Sequence, residues 1–174
     1  MLKLKNFVLF GSFYLHKGWV NIFPGLITVP TFVLSFDLDY KQDYDFLPKL
    51  LKSLNNNRIK ASFACIGKFI EMYPDIHRKI LAEGHELINH TYSHPGHPIF
   101  FPSASFDKIS GEERRRQIEK AHKVFSKVLN YIPKGFRAPH LRMTADTYRI
   151  LKELNYDYSS SQPQYKLGFL VNKN

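Results

Sequence analysis

Five short apolar runs rich in β-formers punctuate this chain, and the stretches between them carry helical periodicity. That alternation constrains the fold more than any single motif. Thr31 to Phe36 reads TFVLSF, a continuous apolar run suited to a strand buried on both faces. Ala61 to Ile66, Glu86 to Ile88, Gly135 to Ala138 and Tyr156 to Ser160 supply four more strands. Asp45 to Leu54 has apolar residues at 46, 47, 50, 51 and 54, with Asp45 as cap and Pro48 in the first turn. Pro74 to Ala82 starts on a proline and stops before Gly84. Ser110 and Glu113 have capping-box spacing ahead of a helix running to about Leu129, with Ile118, Ala121, Val124, Phe125 and Val128 on one face. Thr144 caps a last helix that turns Tyr148, Leu151 and Leu154 inward. Strand and helix in strict alternation predict an α/β fold of parallel strands joined by helical crossovers.

At 174 residues the chain fits one domain with its own core. Residues 1–31 are aromatic and irregular, broken by Pro24, Gly25 and Pro30, and read as a leader packed on a domain of residues 32–174. The net charge of +10 raises the question of an anionic partner. No basic tract interleaves with aromatics as a nucleic-acid groove would, and the one tight run, Arg114 to Arg116, falls on a helix. Nucleic acid is therefore not expected. The single cysteine, Cys65, sits in the apolar run ASFACIG and reads as a buried small hydrophobe. No apolar run is long enough for a membrane span. Lys3 and Lys5 precede an apolar stretch from Phe7 to Leu15, but Gly11 and Ser12 interrupt it and no small-residue cleavage site follows. That favours the cytoplasm slightly and leaves the compartment open.

The polar residues fall at strand ends. Asp37 and Asp39 follow the first strand, His90 and His94 follow the third, and Arg137 ends the fourth. The C-terminal ends of parallel strands are where α/β barrels and open α/β sheets place their chemistry. His90 and His94 stand four apart, which on a helical turn puts both imidazoles on one side. Two imidazoles and one carboxylate make a common catalytic zinc site with a position left for water. Asp39 is the matching carboxylate, since strand alternation sends Asp37 and Asp39 the same way. Asp37 is then free to act as general base, with Arg137 as its cationic support. The plainer readings are a turn-capping Asp37 and a surface-paired Arg137. Thr91 bonds either a substrate or the backbone. His85 holds the end of the third strand, and His97 reads as a loop residue rather than an extra ligand.

SFDLD, GHELINHTYSHP and FRAPH, in this order and spacing, resemble the first three motifs of the NodB-like polysaccharide deacetylases, carbohydrate esterase family 4. The resemblance runs from about Val33 to Ser160. It implies a distorted (β/α) barrel, seven-stranded in the family, of which about five parallel strands are present here. It implies a hydrolase that removes N-acetyl groups from amino-sugar polymers with a metal-activated water. By the same resemblance His90 and His94 bind the metal, Asp37 is the base, Arg137 positions it, and Thr91, Pro139 and His140 lie on the substrate side. The implied cofactor is a divalent metal, zinc first, with cobalt or another transition metal as alternatives. The implied partner is an N-acetylated polysaccharide or oligosaccharide.

Three departures stand out. Most members carry adjacent aspartates with the second on the metal, and here Leu38 takes that place, so the D-x-D spacing hands the role to Asp39. His140 replaces the residue that usually follows the third-motif proline. The family's fourth and fifth motifs, which bring its general acid, have no match between Ser161 and Asn174. The reading is a C-terminally truncated domain whose open sheet edges invite self-association. His140 is the one stand-in for the missing acid. The alternatives in function are a non-catalytic carbohydrate-binding relic, or a deacylase of a small amide or glycan precursor.

Overall fold

Strand order in the sheet follows chain order, so each crossover returns to the neighbouring position. The computed structural model describes residues 9–10 and 33–161. The elements are β1 (Leu9–Phe10), β2 (Val33–Leu38), α1 (Lys41–Asn56), β3 (Ser62–Cys65), α2 (Gly67–Met72), α3 (Pro74–Ala82), β4 (Glu86–Asn89), α4 (Gly111–Leu129), β5 (Gly135–Phe136), a 3-10 turn (Pro139–Leu141), α5 (Ala145–Glu153) and β6 (Tyr158–Ser159). Strands β2 to β6 are parallel, and β1 pairs antiparallel with the outer edge of β2, Leu9 opposite Leu34 and Phe10 opposite Val33. Apart from that pair, the leader of residues 1–31 and the last residues of the chain lie outside the described residues.

Period-two alternation sorts the two faces of the sheet. Phe36, Leu38, Phe63, Cys65 and Leu87 join Leu47, Leu51, Leu54, Phe69, Ile70, Ile80, Val124 and Phe125 in the main core, so this face lies under the helices. The other face mixes polar and apolar rows, with Asp37, Ala64 and Ile88 in one of them. Ser35, Ser62 and Glu86 form another register row. Ser62 Oγ donates to Glu86 Oε2 at 2.5 Å, and the Tyr158 hydroxyl donates to Glu86 Oε1 at 2.6 Å. A smaller core of Phe106, Ile118, Phe136, Ala138, Ile150 and Leu151 seats α5 against α4.

Several boundaries differ from the sequence expectation. Strand β2 runs on to Leu38 because its pairing continues to Cys65, so Asp37 lies inside the strand. Helix α1 begins at Lys41, four residues earlier than expected, and Asp45 is not its cap. Pro48 therefore sits two turns inside, where it costs about 3 kcal/mol. Its neighbours Leu47 and Leu51 are wholly buried, and each such side chain contributes about 1.5–3 kcal/mol, which offsets the break. Helix α2 was not expected. Strands β5 and β6 are shorter than read, because Ala138 N donates to the Ser161 hydroxyl and leaves the ladder. In α5 the inward residues are Thr147, Ile150 and Leu151, while Tyr148 is exposed. Arg114, Arg115 and Arg116 are paired with Asp146, Glu119, Glu153 and Glu113. No helix of the described residues is long and apolar enough to cross a membrane.

Candidate metal centre

Asp39 leaves β2 and His90 leaves β4, parallel strands on either side of β3, so both arrive at one rim. Asp39, His90 and His94 each offer a ligand atom, and these atoms lie within 4.8 Å of one another. His90 Nε2 is 3.4 Å from Asp39 Oδ1, and His94 Nε2 is 3.8 Å from Asp39 Oδ2. Ligands of a tetrahedral zinc with bonds near 2.0–2.1 Å sit about 3.3 Å apart. Asp39 Oδ1 and His90 Nε2, which face each other, are buried with no hydrogen-bond partner. Orphaned buried polar atoms are costly and rare, and a shared cation would satisfy them together. The donor set, two nitrogens and a carboxylate oxygen, fits a divalent ion of the zinc type.

Electrostatics point the same way. Burial, then the nearby Asp37 and Asp43 charges, pushes the Asp39 carboxyl well above its ordinary range. Burial lowers the His90 imidazole, against the pull of Asp37. Burial and the neighbouring His90, His140 and His97 rings take His94 down to about 2. Both imidazoles are thus neutral at ordinary pH, the form that offers a lone pair to a cation. His90 Nδ1 donates to the Arg137 carbonyl at 2.7 Å, which fixes the tautomer with Nε2 free.

The histidine spacing works without a helix. Residues 90–94 form a loop in which Thr91 and His94 have positive φ, 69° and 52°. The expectation of a helical turn here is corrected, although both rings do face one point. Gly67 N and Lys68 N, at the start of α2, donate to the Thr91 and Tyr92 carbonyls at 2.9 Å each. A Cβ on Gly67 would come within 2.9 Å of the Tyr92 ring, so only glycine allows this approach.

Asp37 lies beside the three ligands. Its carboxylate accepts a short hydrogen bond from the buried Arg137 guanidinium, which also donates to Ser35 Oγ at 2.8 Å and Ser160 Oγ at 3.0 Å. The surface-pair reading of Arg137 does not hold, since its side chain is 1% exposed. Of the residues expected on the substrate side, His140 is exposed, with its ring 5.0 Å from that of His94, while Pro139 is buried in the 3-10 turn. Thr91 is fully buried and its hydroxyl accepts from His94 N at 3.1 Å, so its observed bond goes to the backbone. His97 is outside the ligand group. Its Nε2 donates to the Asp39 carbonyl at 2.9 Å, and its Nδ1 accepts from Ile99 N and Phe100 N. His85 tethers the start of β4 rather than its end, accepting from Ala61 N at 3.2 Å.

Sequence reading missed two supports. Asp43 Oδ2 accepts from Asp39 N at 2.9 Å and from Tyr40 N at 2.8 Å, locking the turn that carries Asp39 into the head of α1. Gln117, buried on α4, accepts from Ser93 N and Ser93 Oγ, both at 2.9 Å. Acidic residues two apart gave no way to choose Asp43 over Asp45, and a lone Gln on a helix reads as solvent-facing.

The chain resembles known proteins over the same span. The family model described as polysaccharide deacetylase matches residues 28–159. The peptidoglycan-N-acetylglucosamine deacetylase of Bacillus cereus is 31% identical over 123 residues, which is 71% of this chain and 42% of that protein. The chitin deacetylase of Colletotrichum lindemuthianum is 28% identical over 156 residues, covering 81% of this chain and 56% of that one. Among solved structures, a Bacillus anthracis protein described as a CE4 family pseudoenzyme superposes with a TM-score of 0.62 at 19% identity, over 72% of this chain and 41% of that chain, and so shares the fold. The chain thus spans about half the length of these relatives, and its five parallel strands match an incomplete barrel of that type. Family pattern, strand order and the residues on the rim lead to one conclusion: this chain belongs to the polysaccharide deacetylase family.

Proposed function

We propose that this chain carries the metal-binding half of a hydrolase that removes N-acetyl groups from amino-sugar polymers, within a domain of residues 32–174 preceded by a leader of residues 1–31. The observation that carries the reading is the convergence of Asp39, His90 and His94, with Asp39 Oδ1 and His90 Nε2 buried and partnerless, beside a carboxylate held by a buried arginine. Relatives described as deacetylases of peptidoglycan and chitin support the substrate class.

Asp39, His90 and His94 would hold the ion. When bound, a zinc-type cation there would polarise the acyl carbonyl and lower the pKa of water from 15.7 to about 7. Asp37 receives the proton of the attacking water. Arg137 fixes the Asp37 carboxylate in place, and Ser35 and Ser160 fix Arg137 in turn. The Arg137 carbonyl orients His90, so one residue aligns both ligand and base. His140, exposed beside His94, lies on the side from which an acylated sugar would approach.

The test is acetate release from chitooligosaccharides and from peptidoglycan fragments with added zinc or cobalt. Release that is abolished by Asp37→Ala and by chelation supports the reading. Metal and glycan binding without release would make the chain a binding module instead.

A further inference from the structure

Every backbone N–H from His90 to His94 has a partner, and one residue outside the loop supplies two of them. His90 N donates to the Cys65 carbonyl at 3.1 Å, within the sheet. Thr91 N donates to Asn89 Oδ1 at 2.8 Å, and His94 N to Thr91 Oγ1 at 3.1 Å, both local bonds. Tyr92 N donates to the Gln117 carbonyl at 3.1 Å, and Ser93 N to Gln117 Oε1 at 2.9 Å. The Ser93 hydroxyl donates to the same Oε1. Gln117 is 2% exposed, and its Nε2 donates to Glu113 Oε1 at 2.9 Å, which sets the amide with its oxygen toward the loop.

The loop needs such a clamp. Thr91 and His94 both hold positive φ without being glycine, a conformation that persists only where the surroundings over-determine it. Residues 92 and 93 lie between them and carry the Gln117 bonds. We infer that Gln117 is a positioning residue for the metal site, holding the loop so that His90 and His94 converge. The inference rests on the metal reading above.

Cobalt titration tests it, with the visible bands of the ion reporting coordination and far-UV circular dichroism reporting fold. Gln117→Leu keeps bulk and removes the acceptor. It is expected to weaken cobalt binding by about 10- to 100-fold and to change the band shape, as loss of an outer-shell partner does. The double substitution Glu113→Gln with Gln117→Glu, in which amide and carboxylate trade places, keeps an acceptor for Ser93 and the link between the two side chains. It is expected to restore binding and the bands to near wild type. A Gln117→Leu protein that is folded and binds like wild type overturns the inference. If that variant does not fold, the exchanged pair decides: wild-type affinity and bands uphold the inference, and weakened binding in a folded protein overturns it. Wild-type chain that takes up no cobalt overturns the metal reading itself, and this inference with it.

Discussion

The carbonyl oxygen of Arg137 sits 2.7 Å from Nδ1 of His90, while the guanidinium of the same residue grips Asp37. One side chain and its own backbone thus tie a candidate metal ligand just past β4 to a candidate base on β2. The His90 contact is buried and the Asp37 carboxylate is 14% exposed, so competition with water is slight at both.

Arg137→Met should therefore unfold the chain more easily and silence it together. The substitution strands the Asp37 carboxylate and removes the donors to Ser35 and Ser160. Removing one partner of a buried pair costs about 3–5 kcal/mol. Urea denaturation measures the loss, and a change under about 1 kcal/mol would contradict the buried-pair account.

Asp39→Asn should do the opposite to the metal-free chain. Burial and the charges of Asp37 and Asp43 oppose ionisation of Asp39, so an uncharged isostere relieves that repulsion. Thermal melting should show equal or greater stability without metal and no response to zinc. Wild type at zinc concentrations a hundred times Kd should gain about 2.7 kcal/mol.

Asp43→Ala should loosen the turn that carries Asp39. Its carboxylate takes the N–H groups of Asp39 and Tyr40, so the loss of the cap costs about 1 kcal/mol. Asp45→Ala, which removes only an exposed pair with Lys41, should be close to neutral. Parallel melts of the two variants separate these expectations, and equal effects would put the cap at the wrong residue.

His77 should make stability depend on pH. Its Nδ1 donates to the Tyr73 carbonyl at 2.7 Å and its Nε2 accepts from the Tyr44 hydroxyl at 3.1 Å. Burial lowers its pKa from 6.5 to about 4, against the pull of the Tyr73 carbonyl. The unfolded chain takes up the proton first as pH falls. The contribution of the neutral ring is therefore fully present above pH 6.5 and is lost as pH falls toward 4. The amount is on the order of 3 kcal/mol. Denaturation at pH 7 and pH 4 should show it, and His77→Gln should flatten that part of the slope.

The sequence reading succeeded where a pattern has a physical period. Helix α3 was bounded correctly by Pro74 and Gly84, and α4 by Ser110, whose hydroxyl accepts from Glu113 N at 3.1 Å. It brought Asp39, His90 and His94 to one rim because parallel strands end together. It failed where structure depends on single backbone angles or distant partners. Positive φ at Thr91 and His94 leaves no mark in residue type. Helix α2 is only six residues, too short to show a period. Tyr148 and Tyr44 are both amphipathic residues on helices, yet one is 49% exposed and the other 8%, and only packing tells them apart.

Zinc K-edge absorption on the zinc-loaded chain tests the central claim most directly. One ion per chain should show nitrogen and oxygen neighbours near 2.0–2.1 Å, the scattering of two imidazoles and no sulfur. Zinc lost on desalting, or a sulfur neighbour near 2.3 Å that would implicate Cys65, would contradict the Asp39, His90 and His94 site.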